Sequence, residues 1–396
     1  MSHDDLGLFD EGPAAGQERS AAEKKAKRTK LLIGAGVAAA VIGVGVWFGA
    51  LELIGIGSYD DYEGSGDTDV VVQIEAGTIS KTGKSLADAG VVASARAYTE
   101  AAEENTKLGG VQPGYYLLKT KMSGAAAGNR LLEKDARVGG FEVKGGYQLY
   151  DTKLPGDKVN PGILSRIAEA SCAKVNGKDT CVSADAIREV MEKGDPASIG
   201  VPDWAVGGVS KADPKHRLEG LITPGRYDVR PGSTAEELLK QVLNTSATRL
   251  QAIGMPKIAR DTGFSDYEVL VIASLIEREG ITKDFPKVSR VLYNRLAKDM
   301  KLELDSTINY ALDRPTVRTK QEDRDKAGAY NTYANTNLPP TPISSPGNEA
   351  ILAATKPEAG PWIFFVKCYK DGTSCFAETN AQHNQNRTEA LARGAY

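Results

Sequence analysis

The stretch from Leu31 to Ala50 contains no charged residue. A helix needs about 20 consecutive apolar residues to cross the hydrocarbon core of a bilayer, so this stretch predicts one transmembrane helix. Basic residues precede it and acidic residues follow it, and the positive-inside bias therefore places residues 1–30 in the cytoplasm and the body of the chain outside. The flanking charges are Lys24, Lys25, Lys27, Arg28 and Lys30 before the stretch, and Glu52, Asp60, Asp61 and Glu63 after it.

A cleaved signal peptide is the alternative interpretation of this stretch. The apolar run is long for a signal peptide, and no small-x-small cleavage site follows it closely. We therefore expect a single-pass protein of the cell membrane, with its N-terminus in the cytoplasm and its main body extracytoplasmic.

Composition divides the N-terminal third into further segments. Residues 1–30 form a polar tail that we expect to be disordered, and residues 51–68 form an acidic, glycine-rich linker. Residues 69–138 show the pattern of a strand, two helices and a strand, which predicts a small β-α-α-β unit.

The formal net charge is −3 with no basic stripe in the C-terminal two thirds, so no nucleic-acid partner is expected.

Residues 139–396 alternate helices with short strands and polar loops, which indicates a larger α+β part. Within it, 139–250 is expected to be an accessory part that carries an irregular insertion. That insertion, 151–215, shows one clear helix, Ala184 to Lys193. The core of this larger part is expected at 251–396.

A carboxylate at the end of an apolar helix is the strongest candidate for chemistry. Ser265 and Glu268 form a capping box, the apolar run follows, and Gly280 suits the helix end. At helical spacing Glu277 lies on the packed face, where burial would raise the pKa of its carboxyl and suit it to act as a general acid. Glu279 projects about 200° away and is expected to meet Arg278 or solvent. The alternative for Glu277 is a side chain bent out into water.

The four cysteines predict two local disulfides. An Asp-Gly turn at 371–372 would place Cys368 and Cys375 directly opposite each other on a hairpin. Cys172 and Cys181 would close a second loop. Metal binding or free thiols are the alternatives, but neither pair has C-x-x-C spacing and the three histidines are scattered, so no metal site and no cofactor are predicted.

The last hundred residues carry polar and aromatic side chains suited to sugars. Leu302 to Tyr310 begins with a strand-like alternation, and the stretch 330–333 with the proline-rich loop 338–347 supplies tyrosines, amides and hydroxyls. Aromatic faces can stack on pyranose rings, while amides and hydroxyls give directional hydrogen bonds.

Six motifs of the chain together resemble the YceG-like family of endolytic murein transglycosylases, also called MltG. The motifs, in order, are ASLIERE (273–279), VLYNRL (291–296), LELDSTINY (302–310), YNTY (330–333), LPPTPISSPG (338–347) and FAETNAQHN (376–384). The resemblance covers roughly 66–396, and the family's small LysM-like domain would correspond to 69–138. It implies cleavage of the β-1,4 bond between N-acetylmuramic acid and N-acetylglucosamine within a glycan strand, leaving a 1,6-anhydromuramic end.

The resemblance also implies roles for individual residues. The family's catalytic glutamate falls on Glu277, and no second carboxylate is required because the C6 hydroxyl of the sugar attacks its own C1. The other polar residues of the motifs are expected to bind substrate or, alternatively, to brace the cleft. They are Glu279, Glu303, Asp305, Thr307, Tyr310, Asn331, Thr332, Tyr333 and Asn384. The expected partners are peptidoglycan glycan strands, the membrane through one helix, and cell-wall synthases.

The sequence departs from the family pattern at four positions, where Glu303, Ser306, Asn337 and Thr341 replace a glutamine, a proline and two glycines.

Two other functional classes stay open. One is a non-catalytic glycan-binding scaffold of the cell-wall synthesis machinery. The other is a hydrolase, which would use either Glu303 as a second carboxylate or Ser274 with His383, although Ser274 lacks the signature of a nucleophile elbow.

Overall fold

The computed structural model of the protein describes residues 59–154, 158–312 and 319–395. The predicted tail and the predicted membrane span lie outside these residues, as does the first part of the predicted linker, 51–58. Within the described ranges, no helix combines the length and the apolar character needed to cross a membrane. Helices and short antiparallel strands are mixed along the chain, which confirms the α+β class.

The first part of the described chain has a small hydrophobic core of its own. Its elements are β1 (Asp69–Ile74), α1 (Ile79–Asp88), α2 (Ala95–Glu104), β2 (Gly114–Lys119), α3 (Gly124–Leu132) and β3 (Arg137–Val138). The strands form an antiparallel sheet in the order β1-β2-β3, with Val72 opposite Tyr116. Apolar residues of the sheet and helices, such as Leu86 and Tyr98, are buried between them. The predicted β-α-α-β order is therefore observed.

The larger part continues the chain with a second and more extensive core. Its strands are β4 (Gly140–Val143), β5 (Thr152–Lys153), β6 (Val159–Asn160), β7 (Lys174–Val175), β8 (Lys178–Asp179), β9 (Gly225–Asp228), β10 (Phe364–Lys367) and β11 (Ser374–Ala377). Its helices are α4 (Ile163–Ala170), α5 (Ala184–Lys193), α6 (Asp203–Lys211), α7 (Ala235–Ile253), α8 (Asp266–Glu279), α9 (Phe285–Leu296), α10 (Asp305–Ala311), α11 (Gln321–Lys326), α12 (Asn348–Thr355) and α13 (Asn380–Ala392).

Helix α8 is the centre of this larger core. Ser265 accepts a hydrogen bond from the backbone N–H of Glu268, and Glu268 accepts one from Ser265, which confirms the predicted capping box. The residues from Val269 to Ile276 are all buried, and α12, α9 and α6 pack around them. An apolar helix of this kind has to be surrounded on every side. It therefore fixes the position of any side chain in its last turn.

The prediction of an irregular insertion at 151–215 is wrong for most of that range. Besides the predicted helix α5, the described residues contain α4 and α6, and Ile167, Met191 and Val209 from these helices are fully buried in the same core as α8. The composition that suggested irregularity is compatible with helices, since α5 carries several charged residues and α6 contains Gly207 and Gly208.

The hairpin near the C-terminus has the predicted disulfide but a different register. Cys368 is bonded to Cys375, and Cys172 to Cys181, as predicted. In the sheet, however, Cys375 lies opposite Val366 rather than Cys368. The Asp371 carboxylate accepts hydrogen bonds from the backbone and the hydroxyl of Thr373, which makes a wider turn than a two-residue loop.

The strand-like pattern at 302–310 does not give a strand. Leu302 and Leu304 are buried side chains of an irregular segment, and α10 begins immediately afterwards at Asp305. The alternation therefore reflects two apolar residues that reach the core before the helix starts, and not a pleated strand.

Candidate active site

Glu277 lies in the last turn of α8, after the buried residues have ended. Its side chain is half-buried, and Oε2 accepts a hydrogen bond from the backbone N–H of Gly347 at 2.9 Å. Gly347 is the residue immediately before α12 and closes the proline-rich loop. The carboxylate is thus held by the backbone of that loop and is not bent out into water.

Gly145 covers the other side of the Glu277 carboxylate. A Cβ atom at this position would lie 2.2 Å from Glu277 Oε1, a distance that no side chain can occupy. Two backbone hydrogen bonds join this segment to the proline-rich loop, from Gly146 N to Ser345 O (2.9 Å) and from Ser345 N to Tyr147 O (2.7 Å). Two backbone segments therefore enclose the carboxylate between them.

The surroundings raise the pKa of the Glu277 carboxyl. Burial is the largest cause, because it penalises the charged form. The hydrogen bond from Gly347 and the positive charge of Arg278 lower the pKa, while the negative charge of Glu349 raises it further. The net direction is upward, toward a carboxyl that keeps its proton at higher pH and can then donate it.

Helical spacing predicts that Glu279 meets Arg278 or solvent, and the residue is indeed partly exposed and influenced by the charge of Arg278. Its hydrogen bond, however, is to a residue that was not predicted. Its carboxylate accepts a hydrogen bond from the hydroxyl of Ser306, because the start of α10 packs against the end of α8. Burial raises the pKa of Glu279, and the Ser306 hydroxyl lowers it in part. Helical spacing carries no information on which distant element packs against this side of the helix.

Glu303 and Asp305 have different surroundings. Glu303 is half-exposed, has a positive φ of 54°, and pairs with the buried guanidinium of Arg295 at 3.0 Å. Asp305 Oδ1 accepts hydrogen bonds from the hydroxyls of Thr319 (2.6 Å) and Tyr333 (2.8 Å). Asp305 precedes Ser306, whose hydroxyl bonds to Glu279, and the negative charge of Asp305 raises the pKa of Glu279.

Four of the predicted residues are buried and bond to the protein itself. The Thr307 and Thr332 hydroxyls lie 3.0 Å apart, and Thr332 accepts from the backbone of Leu304. The Asn331 side chain bonds to the carbonyl of Arg324 at 2.6 Å. Tyr310 donates its hydroxyl proton to Glu219 at 3.1 Å. These contacts fit the bracing alternative better than direct contact with a substrate.

The contacts of Asn384 and of the Ser274–His383 pair do not indicate a catalytic role. Asn384 is exposed on α13 and bonds to Asn380 of the same helix. Ser274 is fully buried and donates its hydroxyl proton to the carbonyl of Val271, while the His383 ring stacks on Phe364. A nucleophilic serine needs a base within hydrogen-bond reach, and Ser274 bonds to a carbonyl instead. Among the described residues, no group of histidine, cysteine or acidic side chains could hold a metal ion.

Two residues near the site, Gly145 and Glu219, are not among those predicted. Glu219 is fully buried, and its Oε2 accepts hydrogen bonds from the backbone of Leu149 (3.2 Å) and from Tyr310. Burial raises the pKa of its carboxyl to about 8. In the sequence, Glu219 is an acid within the apolar run 218–222, and Gly145 is one of two adjacent glycines. Neither pattern indicates a role in the site until the fold is known.

Comparison with known proteins places the chain in a family. The YceG-like family model matches residues 72–389. Two curated relatives are named endolytic murein transglycosylase. The one from Bacillus subtilis (strain 168) is 30% identical over 193 residues, which are 48% of this chain and 53% of the relative. The one from Streptococcus pneumoniae (serotype 2, strain D39) is 28% identical over 187 residues, which are 46% and 34% of the two chains.

The chain therefore spans about half or less of the length of these curated relatives. A crystal structure of a protein from Listeria monocytogenes described as YceG-like superposes with a TM-score of 0.53 and 25% identity. That match covers 81% of this chain and 99% of the other. Because the family model matches most of the chain, this protein belongs to the YceG-like family.

Proposed function

We propose that this protein is an endolytic peptidoglycan transglycosylase with Glu277 as its single catalytic residue. The observation that carries the proposal is a half-buried carboxyl with a raised pKa, held by the N–H of Gly347 and bordered by Gly145. Family membership and the names of the two curated relatives support the same reaction class. The substrate would be the MurNAc-β-1,4-GlcNAc bond within a glycan strand.

In the first step Glu277 acts as a general acid. Its protonated carboxyl donates the proton to the glycosidic oxygen, and the bond from muramic C1 to that oxygen breaks as the GlcNAc part leaves. Since Gly347 occupies Oε2, the proton would be carried by Oε1 on the side of Gly145. The raised pKa favours the protonated form that this step requires.

In the second step the same carboxylate acts as a general base. It accepts the proton of the muramic C6 hydroxyl while O6 bonds to C1, which closes the 1,6-anhydro ring and returns Glu277 to its protonated form. The atoms balance without water, and no second carboxylate is needed. Ordinary glycosidases use two carboxylates, and Glu303 is instead paired with Arg295.

The wider setting of the enzyme is part of the proposal. Residues 31–50 would anchor the chain in the cell membrane, with the catalytic part extracytoplasmic, so cutting near the membrane would end the elongation of new strands beside the synthases. The β-α-α-β unit at 69–138 would be a LysM-like domain that contacts the same glycan. Its own core and its element order support this role.

The test is mass spectrometry of uncrosslinked glycan strands after incubation with the purified full-length chain. We expect 1,6-anhydromuramic ends from the wild type and none from Glu277→Gln. The matched control is Glu303→Gln, which removes one carboxylate from an ion pair and should still yield anhydro ends.

Two other results would contradict the proposal. Reducing ends that depend on Glu303 would indicate hydrolysis with two carboxylates. Intact strands after incubation with a folded wild-type chain would favour the scaffold function.

A further inference from the structure

The surface beside Glu277 opens into a cleft of about 130 Å³, here called the side cleft. Arg278, the next residue after Glu277, lines it, and so does Gly146, the next residue after Gly145. The two segments that enclose the Glu277 carboxylate therefore each contribute a neighbouring residue to the side cleft. The lining residues used below are Gly146, Gln148, Asn160, Arg278 and Asn309.

The lining of the side cleft contains polar and apolar residues and one cation, and none of its described residues is acidic. Gln148, Asn160 and Asn309 contribute amides, which can both donate and accept hydrogen bonds. Gln148 is held in place by the bond from its Nε2 to the carbonyl of Ile343 at 3.3 Å. Arg278 carries the positive charge among the described residues that line the cleft.

The guanidinium of Arg278 lines the side cleft, and its positive charge also lowers the pKa of three acids, Glu219, Glu277 and Glu279. In the described part of the chain its hydrogen bond is to a neutral acceptor, the carbonyl of Gly146, at 3.3 Å. A second cation nearby is engaged differently. Arg166 donates to the carbonyl of Pro161 at 3.1 Å and stacks over the ring of Tyr147 at 4.6 Å. An anion that enters the side cleft would therefore meet Arg278.

We propose that the side cleft binds the acidic branch of the muramic sugar and that Arg278 receives its carboxylate. This inference rests on the proposed function, which places a muramic residue at Glu277. That sugar carries a lactyl group on O3, and the lactyl group bears either its own carboxylate or a stem peptide with further carboxylates. The planar guanidinium matches a carboxylate with two parallel hydrogen bonds, and the three amides suit the peptide groups of a stem.

The test measures binding without turnover. The parent is the full-length Glu277→Gln chain, compared with the same chain carrying Arg278→Gln. The matched control is Arg393→Gln, which removes an equal charge from an ion pair outside the side cleft. The probes are uncrosslinked strands with their stem peptides, and strands stripped by an amidase so that only lactyl carboxylates remain.

We expect Arg278→Gln to weaken binding about tenfold, as for the loss of one charge-assisted hydrogen bond, and Arg393→Gln to leave it unchanged. Weakening confined to the peptide-bearing strands would assign the contact to a stem carboxylate. Weakening confined to the stripped strands would assign it to the lactyl carboxylate, which is free only there, and weakening on both would mean that Arg278 receives whichever carboxylate the branch carries. Unchanged affinity for both probes, or an equal loss in the Arg393 control, would overturn the proposal.

A second measurement keeps the proposal testable if Arg278→Gln does not fold. Coupling methylamine to the carboxylates of the strands neutralises the ligand instead of the protein. The Glu277→Gln parent should then bind the neutral strands about tenfold more weakly, and equal affinity would contradict the inference. Because neither measurement needs cleavage, a failure of the proposed reaction would appear separately, as a lack of anhydro ends from the wild type.

Discussion

Gly347 donates its backbone N–H to the carboxylate of Glu277 from 70 positions further along the chain, at 2.9 Å. The loop that ends at Gly347 is bound to α8 just before Glu277, since Ile343 N donates to Ser274 Oγ (3.0 Å) and Ser344 Oγ donates to Ser274 O (3.3 Å). These bonds are buried, so the loop and the helix end keep one relative position. The geometry at the carboxyl therefore depends on close backbone contact on both sides.

Gly145→Ala should reduce the rate of strand cleavage by about 100-fold while the chain stays folded. The added Cβ would lie 2.2 Å from Glu277 Oε1, so the carboxylate has to move, and a displacement of about 1 Å can cost that much in rate. Single-turnover assays of anhydro-end formation measure the loss.

The matched control for this substitution is Gly207→Ala, in helix α6. A Cβ there meets no atom within 4 Å, so activity should not change, and the helix should gain about 0.5–1 kcal/mol of stability. Wild-type rates in Gly145→Ala would show that the contact between Gly145 and Glu277 is not needed for the reaction.

Glu349→Gln should move the high-pH limb of the activity profile to lower pH. A general acid is active while protonated, so the rate falls as pH rises through the pKa of Glu277. The negative charge of Glu349 raises that pKa, and its removal should lower it. Glu349 is exposed, so the shift should be largest at low salt and shrink as salt screens the pair. A limb that moves upward, or that does not move at low salt, would argue against Glu277 as the acid.

The parts of the site that could be predicted are those with local causes. The capping box at Ser265, the apolar run and Gly280 define α8 within sixteen residues, and the structure has that helix. The disulfide between Cys368 and Cys375 was also predictable because the two cysteines are close in sequence. Interactions of this kind need no knowledge of the rest of the fold.

The parts that could not be predicted depend on distant segments. Ser306 bonds to Glu279 because the start of α10 packs against the end of α8. The strand-like pattern before Asp305 gives no indication that a helix begins there. The register of the C-terminal hairpin pairs Lys367 with Ser374, which the Asp-Gly pair alone does not predict. Gly145 matters only because it lies against a side chain 132 positions away.

Ser306→Ala should lower the free energy of unfolding by about 1–2 kcal/mol. The substitution removes the hydroxyl that donates to Glu279 and leaves a carboxylate in a buried setting without that partner. The pKa of Glu279 should rise, because the Ser306 hydroxyl lowers it in the wild type. A double-mutant cycle with Glu279→Gln measures the coupling by urea denaturation, and additive effects would show that the two side chains do not interact.

Glu219→Gln should make the protein more stable than the wild type at high pH and similar to it in acid. The folded pKa of Glu219 is raised to about 8 from an ordinary value of 4.5 by burial. Below pH 4.5 both states keep the proton, so the carboxyl adds no pH dependence. Between the two pKa values the unfolded chain loses the proton and the folded chain keeps it, so the unfolding free energy falls by about 1.4 kcal/mol per pH unit.

Urea denaturation of both proteins from pH 5 to 8 measures the difference, which should grow with pH because glutamine cannot ionise. Parallel profiles over this range would mean that Glu219 titrates near its ordinary pKa in the folded protein.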